Sequence, residues 1–546
     1  MSPVRRLEGK DDTLKKVEVN TCITANGKVM CAFPGSETMA CLTLGLCGNP
    51  GGPVPLPERG VCLTTEEEER QMGSSRESDG FVVPMKAGNA VGGKEATHGT
   101  RCEETLAAHS SGETVATKLR RIAEKARKEP SFKFTSLYHL MDEELLRECF
   151  QRLRKDAAAG IDNVTKEMYA ENLDANISKL AERLHRMAYI PQPVRRKYIP
   201  KAGSDKQRPL GIPCFEDKLV QAGMVRILEA VFEQDFIEDS YGFRPGRSCH
   251  VALKALSETV EGKPIHHIVE ADIKGFFDNL EQEWLMKFLE HRIGDKRIQR
   301  MVKRFLKAGV AEDGAITVTD EGTPQGGVIS PILANIYLHY ALDLWFEKVY
   351  RKKCAGHARI IRYADDFVAC FQYKMDAERF RRELGIRLGK FGLEVEPTKT
   401  KVMEFGKFAV RNAKARGERP ATFDFLGFTH YCGRSQNGKW FRMKRKTSKK
   451  RFTAKVKVFK AWLKKARTLK SVELWETAKA KLRGHYSYYG VTDNAEGISR
   501  FAEKVKQLLF KWLNRRGKRG CLNWAKFNQM LERFPLPEPR VKVSMF

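Results

Sequence analysis

The segment 360–371 constrains the fold most, because two adjacent acids interrupt an otherwise apolar run. Apolar residues stand on both sides of Asp365 and Asp366, in the order Ile-Ile-Arg-Tyr-Ala-Asp-Asp-Phe-Val-Ala-Cys-Phe. This pattern predicts a β-hairpin with the two acids at its tip. Carboxylates so close together repel each other, and a nearby cation removes that repulsion. An ordinary acidic turn is the competing interpretation, since Asp is common in turns.

A third acid lies at the end of another predicted strand, 267–272, which finishes at Asp272. A sheet can bring this strand beside the hairpin, and three carboxylates provide the oxygen ligands that Mg²⁺ prefers. Two such ions could activate a 3′-hydroxyl and stabilise a departing pyrophosphate. To share metals bound at about 2 Å, Asp272 must lie within about 10 Å of the other two acids. For Asp278, a helix-capping or surface role is expected.

Two further motifs are each weak when taken alone. The glycines of 322–331 let backbone come close to a ligand, and Gln325 offers an amide there; an apolar helix is predicted over 332–344. The segment 195–213 predicts a basic hairpin with Gly203 near its turn. Lys201 and Arg208 in this hairpin could hold a triphosphate. The alternative for 322–331 is a plain loop before a helix. The alternative for 195–213 is a generic basic surface loop.

Positive charge is concentrated at the C-terminal end of the chain. The formal net charge is +30, and residues 431–546 hold 31 Lys or Arg against 7 Asp or Glu, a net of +24. Residues 1–110 hold 12 basic and 15 acidic side chains, a net of −3. Such a dense positive segment is expected to attract phosphate backbones. A charged face kept for solubility is the competing interpretation.

Composition also excludes several classes of protein. None of the 13 cysteines forms a Cys-x-x-Cys pair and no His cluster accompanies them, which argues against a zinc site or disulfide framework. No apolar run approaches the roughly 18–20 residues of a membrane span, and the N-terminus lacks the apolar region of a signal peptide. Residues 1–116, rich in Gly, Pro, Ser and Thr, are expected to be weakly ordered.

From Thr117 onward the periodicity predicts a mixed α+β protein. Helices are expected from about 117, over 142–155 and from 173 to 187. Alternating helices and short strands are expected up to about 428. Three basic helices are then predicted at 448–469, 472–488 and 495–513, followed by a short basic tail.

Taken in this order, the motifs resemble the reverse transcriptases encoded by bacterial group II introns, over about residues 117–546. Tyr-Ala-Asp-Asp at 363–366 is similar to the palm hairpin of that family. Ala-Ala-Gly-Ile-Asp at 158–162, followed by a helix, resembles its N-terminal extension, and 482–490 resembles its maturase-specific thumb motif. The tyrosines of 482–490 could stack on bases or pack the thumb helices.

The resemblance implies a role for each matching residue. Phe277 would block a ribose 2′-hydroxyl, Gln325 would contact the nucleotide, and Lys399 would lie near the leaving group. The implied sets are catalytic Asp272, Asp365 and Asp366; metal-binding Asp272, Ile273, Asp365 and Asp366; nucleotide-binding Lys201, Arg208, Ile273, Phe277, Gln325 and Lys399; and primer-grip Phe425, Leu426, Gly427 and Phe428.

It also implies a right-hand polymerase fold. Fingers and palm would span 117–430, a helical thumb or maturase domain 431–515, and a DNA-binding tail 516–546. Many relatives carry a C-terminal His-Asn-His endonuclease with paired cysteines. Here His485 is the last histidine and Cys521 stands alone, so no such nuclease is expected, and a priming strand would come from a replication fork or an existing nick.

The function expected from the resemblance is RNA-directed DNA polymerisation with two Mg²⁺ ions, together with help in splicing the parent intron. The expected partners are group II intron RNA, an RNA template with a DNA primer, target DNA and deoxynucleoside triphosphates, without a membrane. The expected location is the bacterial cytoplasm, at the nucleoid when the protein is on DNA. There are two alternatives. One is an RNA-binding splicing factor with a vestigial palm, and the other is a domesticated or defence-related reverse transcriptase.

Overall fold

The computed structural model of the chain describes residues 20–23, 29–32, 114–200, 207–312, 314–317, 322, 326–515 and 522–545. It contains two compact units, Met1–Thr64 and Thr65–Phe546. The first holds an antiparallel pair of strands, β1 (Asn20–Ile23) and β2 (Val29–Ala32). Apart from this pair and the start of the first helix, the segment predicted to be weakly ordered, 1–116, lies outside the described residues.

The second unit begins with a layer of helices packed on one apolar helix. Its members are α1 (Val115–Lys128), α2 (Glu143–Arg152), α3 (Lys166–Ala170), α4 (Leu173–His185) and the apolar helix α5 (Phe215–Phe232). Side-chain oxygens cap the helices where the sequence predicts their starts, since Asp142 accepts from the Leu145 N–H at 2.8 Å. The predicted helices at 117, 142–155 and 173–187 are confirmed, with ends displaced by a few residues.

A four-stranded antiparallel sheet lies at the centre of this unit. It contains β5 (His267–Asp272), β8 (Ala358–Tyr363), β9 (Asp366–Phe371) and β10 (Lys401–Glu404), in the order β10-β5-β9-β8. The predicted strand 267–272 and the predicted hairpin 360–371 are both confirmed.

The central sheet separates two hydrophobic cores. Successive residues on each strand point to opposite faces. Accordingly, Val269 and Ala369 lie in the core made with the N-terminal helices. Ile268 and Val368 lie in the core made with the C-terminal elements. Burial on both faces explains why these strands are continuous apolar runs rather than alternating ones.

A second four-stranded sheet holds the basic hairpin. Its strands are β3 (Val194–Pro200), β4 (Gln207–Ile212), β6 (Val310–Glu312) and β7 (Ala315–Thr317), in the order β4-β3-β6-β7. The antiparallel pairing of β3 with β4 confirms the predicted hairpin. Gly203, predicted near its turn, lies outside the described residues.

The remaining helices of the central region surround the central sheet. They are α6 (Cys249–Gly262), α7 (Gln282–Glu290), α8 (Lys296–Leu306), α9 (Ser330–Leu338), α10 (Lys374–Gly389) and α11 (Ala409–Ala415). The predicted helix 332–344 is longer than expected. After α9 the chain continues in π-helical turns at His339–Asp343 and Trp345–Tyr350.

The C-terminal region joins a three-stranded sheet to a basic helical bundle. The strands are β11 (Thr422–Phe425), β12 (Phe428–Arg434) and β13 (Phe441–Thr447). The helices are α12 (Lys449–Ala466), α13 (Ser471–Tyr489), α14 (Ala495–Leu513) and α15 (Trp524–Arg533). The first three helices confirm the prediction, whereas α15 stands where only a basic tail was expected. It is held by the buried Phe527 and by Trp524, whose ring stacks 4.2 Å from Phe510.

Across the part of the chain that the structure describes, none of the helices combines the length and the apolar character needed to cross a membrane.

Candidate active site

The three predicted acids meet at one end of the central sheet. Asp272, the last residue of β5, is paired directly with Asp366, the first residue of β9. Directly opposed residues of antiparallel strands have Cα atoms roughly 4.5–5.5 Å apart. Asp365 precedes Asp366 in the hairpin turn. The predicted approach of Asp272 to the hairpin is therefore confirmed, while Asp278 lies on an exposed turn beyond the strand.

Backbone geometry fixes the turn that carries Asp365. Ala364 adopts a φ of 56°, an uncommon conformation for a residue with a side chain. Gly242 packs so closely on it that a Cβ there would collide with the Ala364 backbone. The Tyr241 N–H donates to the Arg362 carbonyl at 2.8 Å, and the Arg362 N–H donates to the Asp239 carbonyl at 2.9 Å. The hairpin tip is thus held against a neighbouring loop.

A fully buried arginine supports the same turn. The Arg362 guanidinium donates to both carboxylate oxygens of Asp343, at 2.7 and 2.5 Å. It also donates to the Asn335 side chain and to the Ala364 carbonyl, both at 3.1 Å, and to the Ser240 hydroxyl at 2.8 Å. Five bonds satisfy the five N–H groups of the guanidinium. This network links the tip of the acidic hairpin to α9 and its π-helical extension.

Sequence reasoning missed Arg362, although a signal was present. A charged residue inside the apolar strand β8 predicts a buried ion pair, because an unpaired charge there would be too costly. Glu270, a charged residue inside the apolar strand β5, gave the same kind of signal and was also missed. Burial, with a smaller contribution from the carboxylate of Asp424, raises the pKa of Glu270 to about 7.

The electrostatics of the acids favour a cation. Burial, together with the neighbouring carboxylates of Asp365, Asp272 and Glu270, raises the pKa of Asp366 to about 7. Burial also raises the pKa of Asp365 above its usual value, and the charge of Asp272 adds to the effect. Several carboxylates in a poorly hydrated place oppose one another's ionisation. A bound divalent cation would relieve this repulsion.

Lys399 supplies a positive charge beside the first acid. Its ammonium contacts the Asp272 carboxylate, and this hydrogen bond raises the pKa of Lys399. The Glu396 N–H donates to the Asp272 carbonyl at 2.8 Å, so the loop that carries Lys399 is bound to the strand end. Among the described residues, no three His, Cys, Asp or Glu side chains are close enough together to form a metal site as they stand. The donor chemistry nonetheless fits, because the three acids offer only the hard oxygen ligands that Mg²⁺ takes.

The basic hairpin and the glycine loop approach each other near the acids. A Cβ on Gly326 would lie 2.5 Å from the Gly211 carbonyl oxygen, so the glycine permits close contact between the loop and β4. The charge of Arg208, also on β4, opposes the rise in the pKa of Asp365, so Arg208 lies near that acid. Lys201 and Gln325, both predicted to contact the nucleotide, lie outside the described residues.

Two predicted nucleotide-binding residues, Ile273 and Phe277, follow Asp272 and differ in which of their atoms can contact a ligand. The Ile273 side chain is 3% exposed and belongs to the core, so only its backbone can contact a ligand. Phe277 is half-buried, and its ring packs edge-on against Phe276 at 5.2 Å. The Gly322 backbone passes so near that a Cβ there would lie 2.9 Å from the Phe277 carbonyl oxygen. Phe277 is thus held in place with part of its surface free.

The segment predicted to be the primer grip contacts the acids through its backbone. Leu426 and Gly427 form a turn with φ of 49° and 81°, whereas Phe425 and Phe428 are buried. The Leu426 N–H donates to the Asp366 carboxylate. Sequence reasoning missed this contact because it joins two distant segments. The turn between β11 and β12 therefore lies directly beside the acids.

The tyrosines of α13 support that turn. The Tyr488 hydroxyl donates to the Leu426 carbonyl at 2.9 Å. The Tyr489 hydroxyl lies next to Gly427, where a Cβ would be 3.1 Å from it. Tyr486 and Tyr489 are buried in the C-terminal core, which favours packing over base stacking for these two residues.

Comparisons with known proteins relate the chain to reverse transcriptases and intron-encoded proteins. Residues 199–430 match the family described as reverse transcriptase (RNA-dependent DNA polymerase). Protein YkfC of Escherichia coli is 33% identical over 318 residues, which cover 52% of this chain and 83% of YkfC. The group II intron-encoded protein LtrA of Lactococcus lactis is 40% identical over 222 residues, 40% of this chain and 37% of LtrA. Nuclear intron maturase 2 of Arabidopsis thaliana is 25% identical over 173 residues, 24% of this chain and 23% of the plant protein. The match to LtrA thus spans little more than a third of that protein.

Proposed function

The chain belongs to the family of group II intron-encoded reverse transcriptases, and from this premise we propose that it adds deoxynucleotides to a DNA primer on an RNA template. The single observation that carries the proposal is the direct pairing of Asp272 with Asp366, with Asp365 in the adjoining turn. Family domains of this kind generally use divalent metal ions, and the proposal is that Asp272, Asp365, Asp366 and the Ile273 backbone hold two Mg²⁺ ions. Bound Mg²⁺ would activate the primer 3′-hydroxyl and neutralise charge on the leaving pyrophosphate.

The surrounding residues would orient the reactants. Arg208, on β4, and Lys201 would hold the triphosphate by charge and hydrogen bonds. Gln325 would contact the nucleotide. The partly free ring of Phe277 would exclude a ribose 2′-hydroxyl. Lys399 would place its ammonium near the leaving group.

The primer end would rest on the turn formed by Leu426 and Gly427. Its backbone is already tied to Asp366 on one side and to Tyr488 on the other. This placement would set the primer hydroxyl beside the acids. In this proposal, residues 117–430 act as fingers and palm, 431–515 as the thumb or maturase domain, and 516–546 as a DNA-binding tail that includes α15.

We also propose that the protein binds its parent intron RNA and assists splicing, in the bacterial cytoplasm and at the nucleoid when on DNA. The net charge of +24 over residues 431–546 provides the surface for the RNA backbone. Relatives whose names identify them as intron-encoded or as intron maturases support this role. Target DNA would be the second nucleic acid partner during mobility of the element.

Primer extension on an RNA template, with deoxynucleotides and Mg²⁺, tests the polymerase. Asp366→Asn should abolish extension, because it removes one carboxylate charge at the paired position. Asp278→Asn is the matched control: it makes the same chemical change on an exposed turn and should extend normally. Absence of extension by the unmodified chain, with tight intron binding retained, would favour a splicing factor without polymerase activity.

A further inference from the structure

A strained phenylalanine lies beside the tip of the acidic hairpin. Phe243 has a φ of 55°, in the left-handed region that a bulky side chain rarely occupies. Its side chain is 55% exposed, although the residues on either side of it are buried. An apolar ring that is both strained and exposed contributes little to the stability of the fold. Backbone strain of this kind is concentrated at functional sites.

The two neighbours of Phe243 fix its backbone. The Gly242 carbonyl accepts from the Asn335 amide at 2.8 Å, and a Cβ on Gly242 would collide with the Ala364 backbone. The buried Arg244 guanidinium donates to a carboxylate and to two backbone carbonyls. Because both neighbours are held in place, the chain presents the Phe243 ring at the surface.

One face of the central sheet joins this ring to the acids. The Phe243 ring lies 6.3 Å from the ring of Tyr363, at an angle of 47°. Tyr363 is paired directly with Asp366, which is paired in turn with Asp272. Directly opposed residues of antiparallel strands project from the same face of a sheet. Phe243 therefore borders the face that carries both acids, on which the Leu426 N–H binds Asp366.

The position of Phe243 fits a nucleic acid strand rather than the incoming nucleotide. In the proposed function, Arg208 holds the triphosphate near Asp365, whereas the primer end rests on the turn between β11 and β12, which binds Asp366. Neighbouring strands are about 4.8 Å apart, so the Phe243 ring lies on the order of 10 Å from Asp366. At about 3.4 Å per base pair, this distance corresponds to roughly three base pairs of a duplex.

We propose that the Phe243 ring contacts the sugar edge of the primer–template duplex, within about four base pairs of the primer end. The inference rests on the proposed polymerase function and adds a residue that holds the duplex rather than the reacting atoms. An RNA–DNA duplex of A-form geometry has a wide, shallow minor groove in which the sugars are accessible. An apolar ring suits their carbon-rich faces better than it suits phosphates. Since sugars carry no base identity, the contact is independent of sequence.

Removing the ring and the strain together tests this contact. Glycine adopts a positive φ without strain, so Phe243→Gly should unfold at the same temperature as the unmodified full chain or a higher one. Its affinity for primer–template, measured by fluorescence anisotropy without deoxynucleotides, should fall about fivefold, as expected for a ring that is about half exposed before binding. The KM for primer–template should rise by the same factor, while the KM for deoxynucleotides stays unchanged.

Two variants and a crosslinker complete the comparison. Phe243→Trp keeps a ring and should keep most of the affinity. Ile386→Ala is the control, because it removes a 68% exposed apolar side chain from α10 and should bind the duplex normally. With p-benzoylphenylalanine in place of Phe243, irradiation of the bound complex should attach the full chain to the duplex behind the primer end. Gel mapping then identifies whether the primer or the template strand carries the contact.

Several results would overturn the proposal. They are undiminished affinity in Phe243→Gly, an equal loss in Phe243→Trp, and a crosslink that is absent or falls only on single-stranded template ahead of the primer end. Unfolding of Phe243→Gly at a lower temperature would also overturn it, because the ring would then support the fold. Binding and crosslinking need no catalysis. A chain that contacts the duplex through Phe243 but extends no primer would therefore contradict the proposed function and not this contact.

Discussion

Replacing Arg362 with leucine tests whether the buried guanidinium holds the turn that carries Asp365. Both Arg362 and Asp343 have fully buried side chains, with 0% exposure. The substitution keeps an apolar side chain in β8 but removes every hydrogen bond of the guanidinium. The Asp343 carboxylate would then be buried without its compensating charge, and the Ala364 carbonyl would lose its donor.

The expected loss of stability is large. Removing one partner of a buried ion pair costs about 3–5 kcal/mol, because the remaining charge is uncompensated. Proteins are stable by only about 5–15 kcal/mol in total. Replacing both partners, as in Arg362→Leu with Asp343→Leu, removes the stranded charge. This double variant should therefore recover much of the stability that the single variant loses.

The loss of stability in Arg362→Leu should be smaller at low pH than at high pH. Burial raises the pKa of Asp343, and the charge of Arg362 opposes that rise. Without Arg362 the pKa of Asp343 in the folded state rises further, while its value in the unfolded state stays near 3.9. The folded variant then binds a proton more readily than the unfolded chain. Its stability therefore increases as pH falls, and the deficit relative to the unmodified protein is smaller at about pH 5.5 than at about pH 8.

Urea unfolding followed by near-ultraviolet circular dichroism at the two pH values measures these differences. The account requires a deficit of about 3 kcal/mol or more for Arg362→Leu near pH 8. A deficit below about 1 kcal/mol would refute the claim that the pair is structurally essential. Equal instability of the single and double variants would also refute it, because the stranded charge would then not be the cause.

Three further substitutions test the roles of single residues. Asp365→Ala should abolish primer extension and leave RNA affinity in a filter-binding assay nearly unchanged; equal loss of both would contradict separate sites. Phe277→Ala should admit ribonucleotides, and unchanged discrimination in steady-state incorporation would contradict the gate assignment. Tyr488→Phe removes the hydroxyl that binds the Leu426 carbonyl, a loss of about 1 kcal/mol, so the KM for primer–template should rise several-fold. An unchanged KM would mean that the hydroxyl does not position the turn.

Much of the local structure could be predicted because it depends on patterns within single segments. The acidic hairpin follows from two apolar runs around Asp365 and Asp366, and its strands are found as β8 and β9. The three basic helices follow from their apolar stripes. The prediction that Asp272, Asp365 and Asp366 form the active site likewise rests on residue type and position on strands, which are local properties.

The remaining features depend on contacts between distant segments. The direct pairing of Asp272 with Asp366 requires a strand register that no single segment determines. The Leu426 N–H reaches Asp366 only because β11 and β12 pack beside the central sheet. Helix α15 was missed because its stability comes from packing on α13 and α14, through Trp475 and Phe510, rather than from its own charged sequence.

The central claim is that Asp272 and the hairpin acids share metal ions. Ferrous ion, which can replace Mg²⁺, generates radicals with ascorbate and peroxide that cleave the backbone nearest to the bound metal. The account predicts two cuts in the full chain, one near Asp272 and one near Asp365 and Asp366, both suppressed by excess Mg²⁺ and lost in Asp366→Asn. A cut at one of these segments without the other, under conditions in which the protein extends a primer, would contradict the shared site.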